Sequence, residues 1–146
     1  MENESREHIQ AVLKHYQDCQ LNGIKDIDRQ MEIYSEESQF ILFPVAGVVG
    51  ISDPRIINGK HAIYQLFEQY NSLARTFDSV NILNKHQMID PEALKGSFVM
   101  EITMTQAGNS HNYFNYLQMQ LNRDMQVITS FNWQADVTGS HVLQFL

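Results

Sequence analysis

Cysteine is nearly absent from this sequence of 146 residues: Cys19 stands alone. One thiol cannot close a disulfide within the chain or build a thiolate metal cluster. Positive charge is thin as well. Ten Lys and Arg face seventeen Asp and Glu, for a formal net charge of −7 and a pI near 5.2. Lys14, Lys25, Lys60, Lys85 and Lys95 are scattered singly. A nucleic-acid binder needs clustered cations to neutralise phosphates, and an anionic membrane surface repels an acidic chain. Neither partner is expected. No apolar run approaches the roughly twenty residues that cross a bilayer. The opening stretch, Met1 to Gln10, is too polar and acidic for a secretory leader. A cytoplasmic location is expected.

What remains is globular: 43% of residues are hydrophobic and 18% charged, and the length suits one domain over residues 1–146. Ile9, Val12, Leu13 and Tyr16 fall at i, i+3, i+4 and i+7, predicting a helix over Ser5 to Gln20 with one apolar stripe. Leu21-Asn22-Gly23 ends it. Ile24, Ile27, Met31 and Tyr34 line a second, shorter helix that stops at Ser35-Glu36-Glu37-Ser38. Gln39 to Phe43 reads as a buried strand, halted by Pro44, which lacks an amide proton. Val45 to Asn58 is the longest irregular stretch. Asn58-Gly59 then opens a third helix, carried by Ile63, Leu66, Phe67 and Tyr70.

After Phe77 the hydrophobic period changes to two. Four strands are predicted: Ser79 to Ile89, Gly96 to Gln106, His111 to Leu121 and Met125 to Asp136. Turns at Asp90-Pro91-Glu92, Ala107-Gly108-Asn109 and Asn122-Arg123-Asp124 separate them. Helices first and consecutive hairpins after argue an α+β fold with a mostly antiparallel sheet.

Three local features carry a family resemblance. Tyr16 to Gly23, followed by Ile27 and Met31 to Glu37, is similar to two opening helices and the acidic turn after them. Asn58-Gly59-Lys60-His61-Ala62-Ile63 is similar to a "G-x-x-A-I" helix start. Leu121 to Val127 followed by Phe131-Asn132-Trp133 is similar to a closing hairpin. In order and spacing these resemble the nuclear transport factor 2-like superfamily, over nearly the whole chain, and within it the SnoaL-like and ketosteroid isomerase-like proteins. The resemblance implies three helices packed in a curved, mostly antiparallel sheet, a cystatin-like conical barrel with a cavity. It also implies a homodimer through the outer sheet face.

In that frame, alternation sets Phe98, Met100, Ile102 and Met104 inward on one strand. On the next the inward set is His111, Tyr113, Asn115, Leu117, Met119 and Leu121. On the last strand the apolar parity is Val127, Thr129, Phe131, Trp133 and Ala135; Ser130, Asn132 and Gln134 are the alternative, since a bulge shifts parity. Phe98, Met100, Met104, Tyr113, Asn115, Phe131 and Trp133 are thus the expected ligand-binding set. Phe114, Tyr116, Val99 and Glu101 face outward, and exposed aromatics there suit a partner surface.

For chemistry, Tyr16 stands where the resemblance implies an oxyanion-hole tyrosine, a phenol donating a hydrogen bond to a developing enolate. The plainer reading makes it one more stripe residue. The proton-abstracting aspartate of ketosteroid isomerase-like enzymes falls here on Leu42 or Phe43, and their second oxyanion acid near Leu117, so that chemistry is not expected. Asp136, after Trp133, resembles the last-strand aspartate of SnoaL-like cyclases, one residue short of its place; a solvated strand-end carboxylate is the plainer reading. His86 shares parity with Ile82 and Met88, which makes it an inward base candidate. Catalytic candidates are therefore Tyr16, Asp136 and His86. No histidine pair has ligand spacing, so no metal is expected, and nothing suggests a cofactor.

Two functions follow as expectations. One is a SnoaL-like isomerase, cyclase or lyase acting on a small hydrophobic carbonyl compound. The other is a non-catalytic ligand-binding or dimerisation module. A nuclear-transport adaptor is a third option on fold alone.

Overall fold

The computed structural model describes residues 2–21, 26–43 and 54–136, with side chains described for all of these but Glu2, Leu21 and Asp136. The expected helix break at Asn22-Gly23, Pro44, most of the loop before Asn58 and the tail after Asp136 lie outside the described residues. The elements run α1 (Glu2–Leu21), α2 (Ile27–Met31), β1 (Tyr34–Leu42), β2 (Arg55–Asn58), α3 (Lys60–Ala74), β3 (Ser79–Asp90), β4 (Lys95–Gln106), β5 (Asn109–Leu121) and β6 (Val127–Asp136). Described strands form one six-stranded sheet in the order β2-β1-β6-β5-β4-β3. Only the β1–β6 pairing is parallel. The sheet is mixed and open, with β2 and β3 at its edges. The fold is α+β, with the helices gathered on one face.

Helix α1 is held by its stripe: Ile9, Leu13 and Tyr16 are all buried. It lies across β3 and β4, and the approach depends on Gly96. A Cβ there would stand 2.8 Å from Ile9 Cγ2 and 2.9 Å from Leu13 Cδ1, so only glycine lets the helix come this close. Helix α3 starts at Gly59, whose φ of +90° suits glycine and whose carbonyl accepts from Ile63 N–H at 3.1 Å. Phe67 of α3 is the hub of the core. Its ring meets Tyr16, Tyr34, Phe40 and Tyr70 at centroid separations of 5.9–6.2 Å, spacing suited to edge-on aromatic contact.

Three features differ from expectation. The second helix is a single turn, capped by Asp26, whose carboxylate accepts from Arg29 N–H at 3.2 Å. Tyr34 to Ser38, predicted as its end, belongs to β1, where Tyr34, Ser38, Phe40 and Leu42 are buried. The pairing shift between Tyr34 and Gln39 bends this strand, and the Glu36-Glu37 bulge disguises its alternation as a polar turn. Arg55 to Asn58, expected to be irregular, is β2, a short edge strand on β1.

The third difference reverses the face of β6. Leu121 pairs with Val127 but Gln120 pairs with Thr129, leaving Ile128 as an extra residue. Beyond that bulge, Ser130, Asn132 and Gln134 sit opposite Met119, Leu117 and Asn115 and are buried with them. Directly opposed residues share a sheet face. Phe131 and Trp133 therefore lie on the outer face, contrary to the parity preferred from sequence.

Candidate functional site

Between α1, α3 and the concave face of β3 to β6 lies a cavity of about 70 Å³ available to the centres of water-sized spheres. That room holds several waters or part of an organic molecule. Its apolar side comes from Val80 and Ile82 on β3 and Met100, Ile102 and Met104 on β4, with Leu73 and Ala74 from the end of α3. Its polar side comes from Asn115 on β5, Asn132 and Gln134 on β6, Gln20 on α1 and the phenols Tyr16 and Tyr70. The polar groups cluster because the pairing puts Gln134 opposite Asn115 and Asn132 opposite Leu117. Gln20 joins them because it follows Tyr16 by four residues on one helix face.

The polar side is under-satisfied by protein groups. Gln20, Asn115, Asn132 and Gln134 are each at most 8% exposed. Gln20 Nε2, Asn115 Oδ1, Asn132 Oδ1 and the Tyr70 hydroxyl have no hydrogen-bond partner. Burial drives the Tyr16 phenol well above its ordinary range, with Tyr34, Tyr70 and Cys19 adding to the effect. Burial also raises Tyr70, against the opposing influence of Arg55 and Gln134. Both phenols are neutral at physiological pH and act as donors rather than bases. Deeper in the core, burial raises Tyr34 too. Gln30 and Ser130 stand beside its hydroxyl and slightly favour the anion, yet no hydrogen bond of good geometry joins them.

Of the sequence candidates, Tyr16, Met100, Met104 and Asn115 meet at this cavity. Phe98 is fully buried, its ring 5.8 Å from that of Tyr16, behind the lining. Tyr113 packs with Phe77 and Met104 in a smaller cluster beyond it. Phe131 and Trp133 are on the other side of the sheet. Trp133 stacks on Phe43 at 4.5 Å and 4°, and on Phe131 at 5.9 Å and 22°. His86 is also misplaced by the sequence reading. The β3–β4 pairing slips between Lys85 and Met88, and His86 sits in that bulge with φ +56°, exposed. The bulge turns it away from the inward parity of Val80 and Ile82.

Asp136 ends β6 opposite Tyr113, at the position parity of Asn132 and Gln134; its side chain is outside the described set. Leu42 is buried, and Phe43 lies in the outer aromatic stack. Among described residues, no three of His, Cys, Asp and Glu come together as a metal site. Nor is any described helix long and apolar enough to cross a membrane.

Sequence reasoning missed Gln20, Tyr70, Leu73, Ala74, Val80 and Ile82 as lining groups. The helical stripe of α3 and the alternation of β3 contained the signal for Tyr70, Val80 and Ile82. Asn132 and Gln134 were visible only as the alternative parity.

No protein-family model and no curated protein matches the sequence. Solved structures do match in fold. One is the epoxide hydrolase/cyclase-like enzyme SalBIII of pyran-ring formation in salinomycin, at 13% identity and a TM-score of 0.66, covering 92% of this chain and 94% of that one. A protein from Jannaschia sp. CCS1, provisionally assigned as a SnoaL-like polyketide cyclase, matches at 12% identity and a TM-score of 0.65, with 87% and 85% coverage. A Mycobacterium tuberculosis protein in complex with estradiol-17beta-hemisuccinate matches at 10% identity and a TM-score of 0.63, with 86% and 92% coverage. With its helices gathered on one face of an open sheet, the chain shares the fold of these solved proteins, a group that includes one described as having a cystatin-like fold.

Proposed function

We propose that the cavity binds a small, uncharged, largely apolar molecule that carries a carbonyl group. The observation that carries this reading is the lining itself: aliphatic and thioether walls face four carboxamides and two neutral phenols, with no charged side chain among the described lining residues. Pockets of this kind take their affinity from apolar contact and their orientation from a few polar groups. The methionines suit a ligand of irregular shape, because an unbranched thioether adapts to gaps. A steroid ester held by one protein of this fold supports the apolar body of such a ligand, though not its lack of charge, since a hemisuccinate ends in a carboxylate.

The reading is tested by a thermal-shift screen of neutral steroid, terpenoid and aromatic polyketide compounds, followed by calorimetry. A ligand at a hundredfold excess over its Kd adds about 2.7 kcal/mol of stability. Tyr16→Phe removes one hydroxyl and is expected to weaken binding of a carbonyl ligand by about 0.5–1.5 kcal/mol. Unchanged affinity would reduce Tyr16 to a packing residue.

Binding without turnover is the reading favoured by the described lining, which offers no carboxylate or imidazole to move a proton. Isomerase, cyclase or lyase chemistry is supported only through Asp136, by its register opposite Tyr113. Should turnover be found, Asp136→Asn is expected to slow it on the order of 10²-fold or more. A rate that survives the change would take Asp136 out of the chemistry. His86 is not carried forward, since it stands on the exposed bulge.

The same proposal includes a homodimer through the outer sheet face. It is supported by Phe114, Tyr116 and Trp133, each 37% exposed, beside the Phe43–Trp133–Phe131 stack.

A further inference from the structure

We infer that Leu73 is the gate of the cavity: a ligand enters and leaves past its side chain, at the end of α3. The inference rests on the cavity being a ligand site and adds the path by which that site is reached.

Two spaces meet at this residue. Leu73 lines the interior cavity, and it also lines an open groove on the outer side of α3, beside Arg55, Gln65, Glu68, Ser72 and Thr76. Among the described residues around the two spaces, Leu73 alone belongs to both. The wall between cavity and groove is one residue thick there. Exposure points the same way. At the deep end of the cavity, Tyr16, Met100 and Asn132 are at most 3% exposed. The half-buried lining residues are Tyr70, Leu73 and Ala74 at the end of α3, with Val80 and Ile82 on β3 and Ile102 on β4. Leu73, Val80 and Ile102 pack on Phe77, Met104 and Tyr113, a small cluster separate from the main core. A side chain resting on so few neighbours moves at less cost than one locked in the main core.

The moving part is the side chain and not the backbone. The Thr76 hydroxyl and the Thr76 N–H both donate to the Leu73 carbonyl, at 2.7 and 3.0 Å. Two residues on, Asp78 N–H donates to the Thr105 carbonyl at 2.8 Å, and the Asp78 carboxylate accepts from Ala107 N–H at 3.0 Å. These bonds hold the end of α3 and its connection to β3 against the end of β4. Rotation of the leucine side chain leaves all of them intact. Such rotation is fast, so the gate acts through the fraction of time it stands open, and it slows entry and exit together.

The test is fluorine NMR exchange spectroscopy on the intact chain with two neutral ketones, 4-fluoroacetophenone and 6-fluoro-2-acetylnaphthalene, read as association rate, dissociation rate and Kd. Leu73→Ala thins the wall, and both rates are expected to rise severalfold, by more than Kd moves. Leu73→Met keeps the volume but is more flexible, and it should raise both rates in the same sense. The outcome therefore does not hang on the alanine variant folding. An association rate unchanged in both variants would make Leu73 an ordinary wall residue and overturn the inference, with the cavity reading left standing. Failure of both ketones to bind the unaltered chain would remove the cavity reading and the inference together.

Discussion

At the scale of single residues, the buried tyrosines set a testable limit on stability. Tyr16 is 3% exposed and Tyr34 fully buried, and burial raises both phenols above the ordinary value of 10.0. Below pH 10 the folded and unfolded chains both hold these protons, so stability does not depend on them. Above it the unfolded chain ionises first and the folded chain does not. Stability should then fall by about 1.4 kcal/mol per pH unit for each such tyrosine, until its folded-state value is reached. Urea unfolding followed from about pH 8 to about pH 11 checks this, and Tyr34→Phe should remove one share of the slope. A pH-independent midpoint across that range would show that the phenols are hydrated in the fold. Residue identity was legible where apolar spacing spoke for it: Tyr16 faces the cavity because Ile9, Val12 and Leu13 fix its helix face. Asn132 and Gln134 were harder to read, since amides are polar and the more apolar residues of their strand, Phe131 and Trp133, point the other way.

At the scale of elements, the close contact of α1 with β4 turns on one missing side chain. Gly96→Ala places a methyl against Ile9 and Leu13 at under 3 Å. Leu13 Cδ1 ends a side chain that can turn aside, whereas Ile9 Cγ2 sits on a β-branched carbon and cannot, so the helix is expected to shift rather than detach, at a cost of about 1–3 kcal/mol. Chemical denaturation measures it, and an unchanged midpoint would mean that α1 is packed more loosely than described. The elements most easily read from sequence were the long ones. β4 and β5 alternate strictly, from Phe98 to Met104 and from Tyr113 to Leu121, and no bulge interrupts their pairing. Bulges account for most of what was not read. Ile128 reversed the face of β6, His86 left the inward row of β3, and Glu36-Glu37 made half of β1 resemble the end of a helix. A bulge is set by strand twist and by the partner strand, and neither is written in the local hydrophobic period.

At the scale of the whole molecule, the outer sheet face is more aromatic than the inner face of its own last strand. Apolar patches of this kind on a folded chain mark contact surfaces. If two copies meet there, Trp133→Glu sets an uncompensated charge into the stack with Phe43 and Phe131 and should weaken the dimer by about 2 kcal/mol or more. Sedimentation velocity across a dilution series reads this directly, and a chain that is monomeric at every concentration would dismiss the dimer. The sheet order has a different consequence, one for the history of the chain rather than its finished form. β1 has β6 as its parallel neighbour, with Tyr34 opposite Val127, so the first strand of the sheet is joined to the last. The hairpins from β3 to β6 close over short loops and can assemble early, whereas joining β1 to β6 requires a far larger loop to close. During synthesis β1 therefore keeps one backbone edge unpaired until Asn132 has left the ribosome. Substitutions along the β1–β6 seam should chiefly speed unfolding, and those between β4 and β5 should slow folding. A chain growing from its N-terminus thus carries its own sticky edge longest, which makes this seam the place where chaperones would find it.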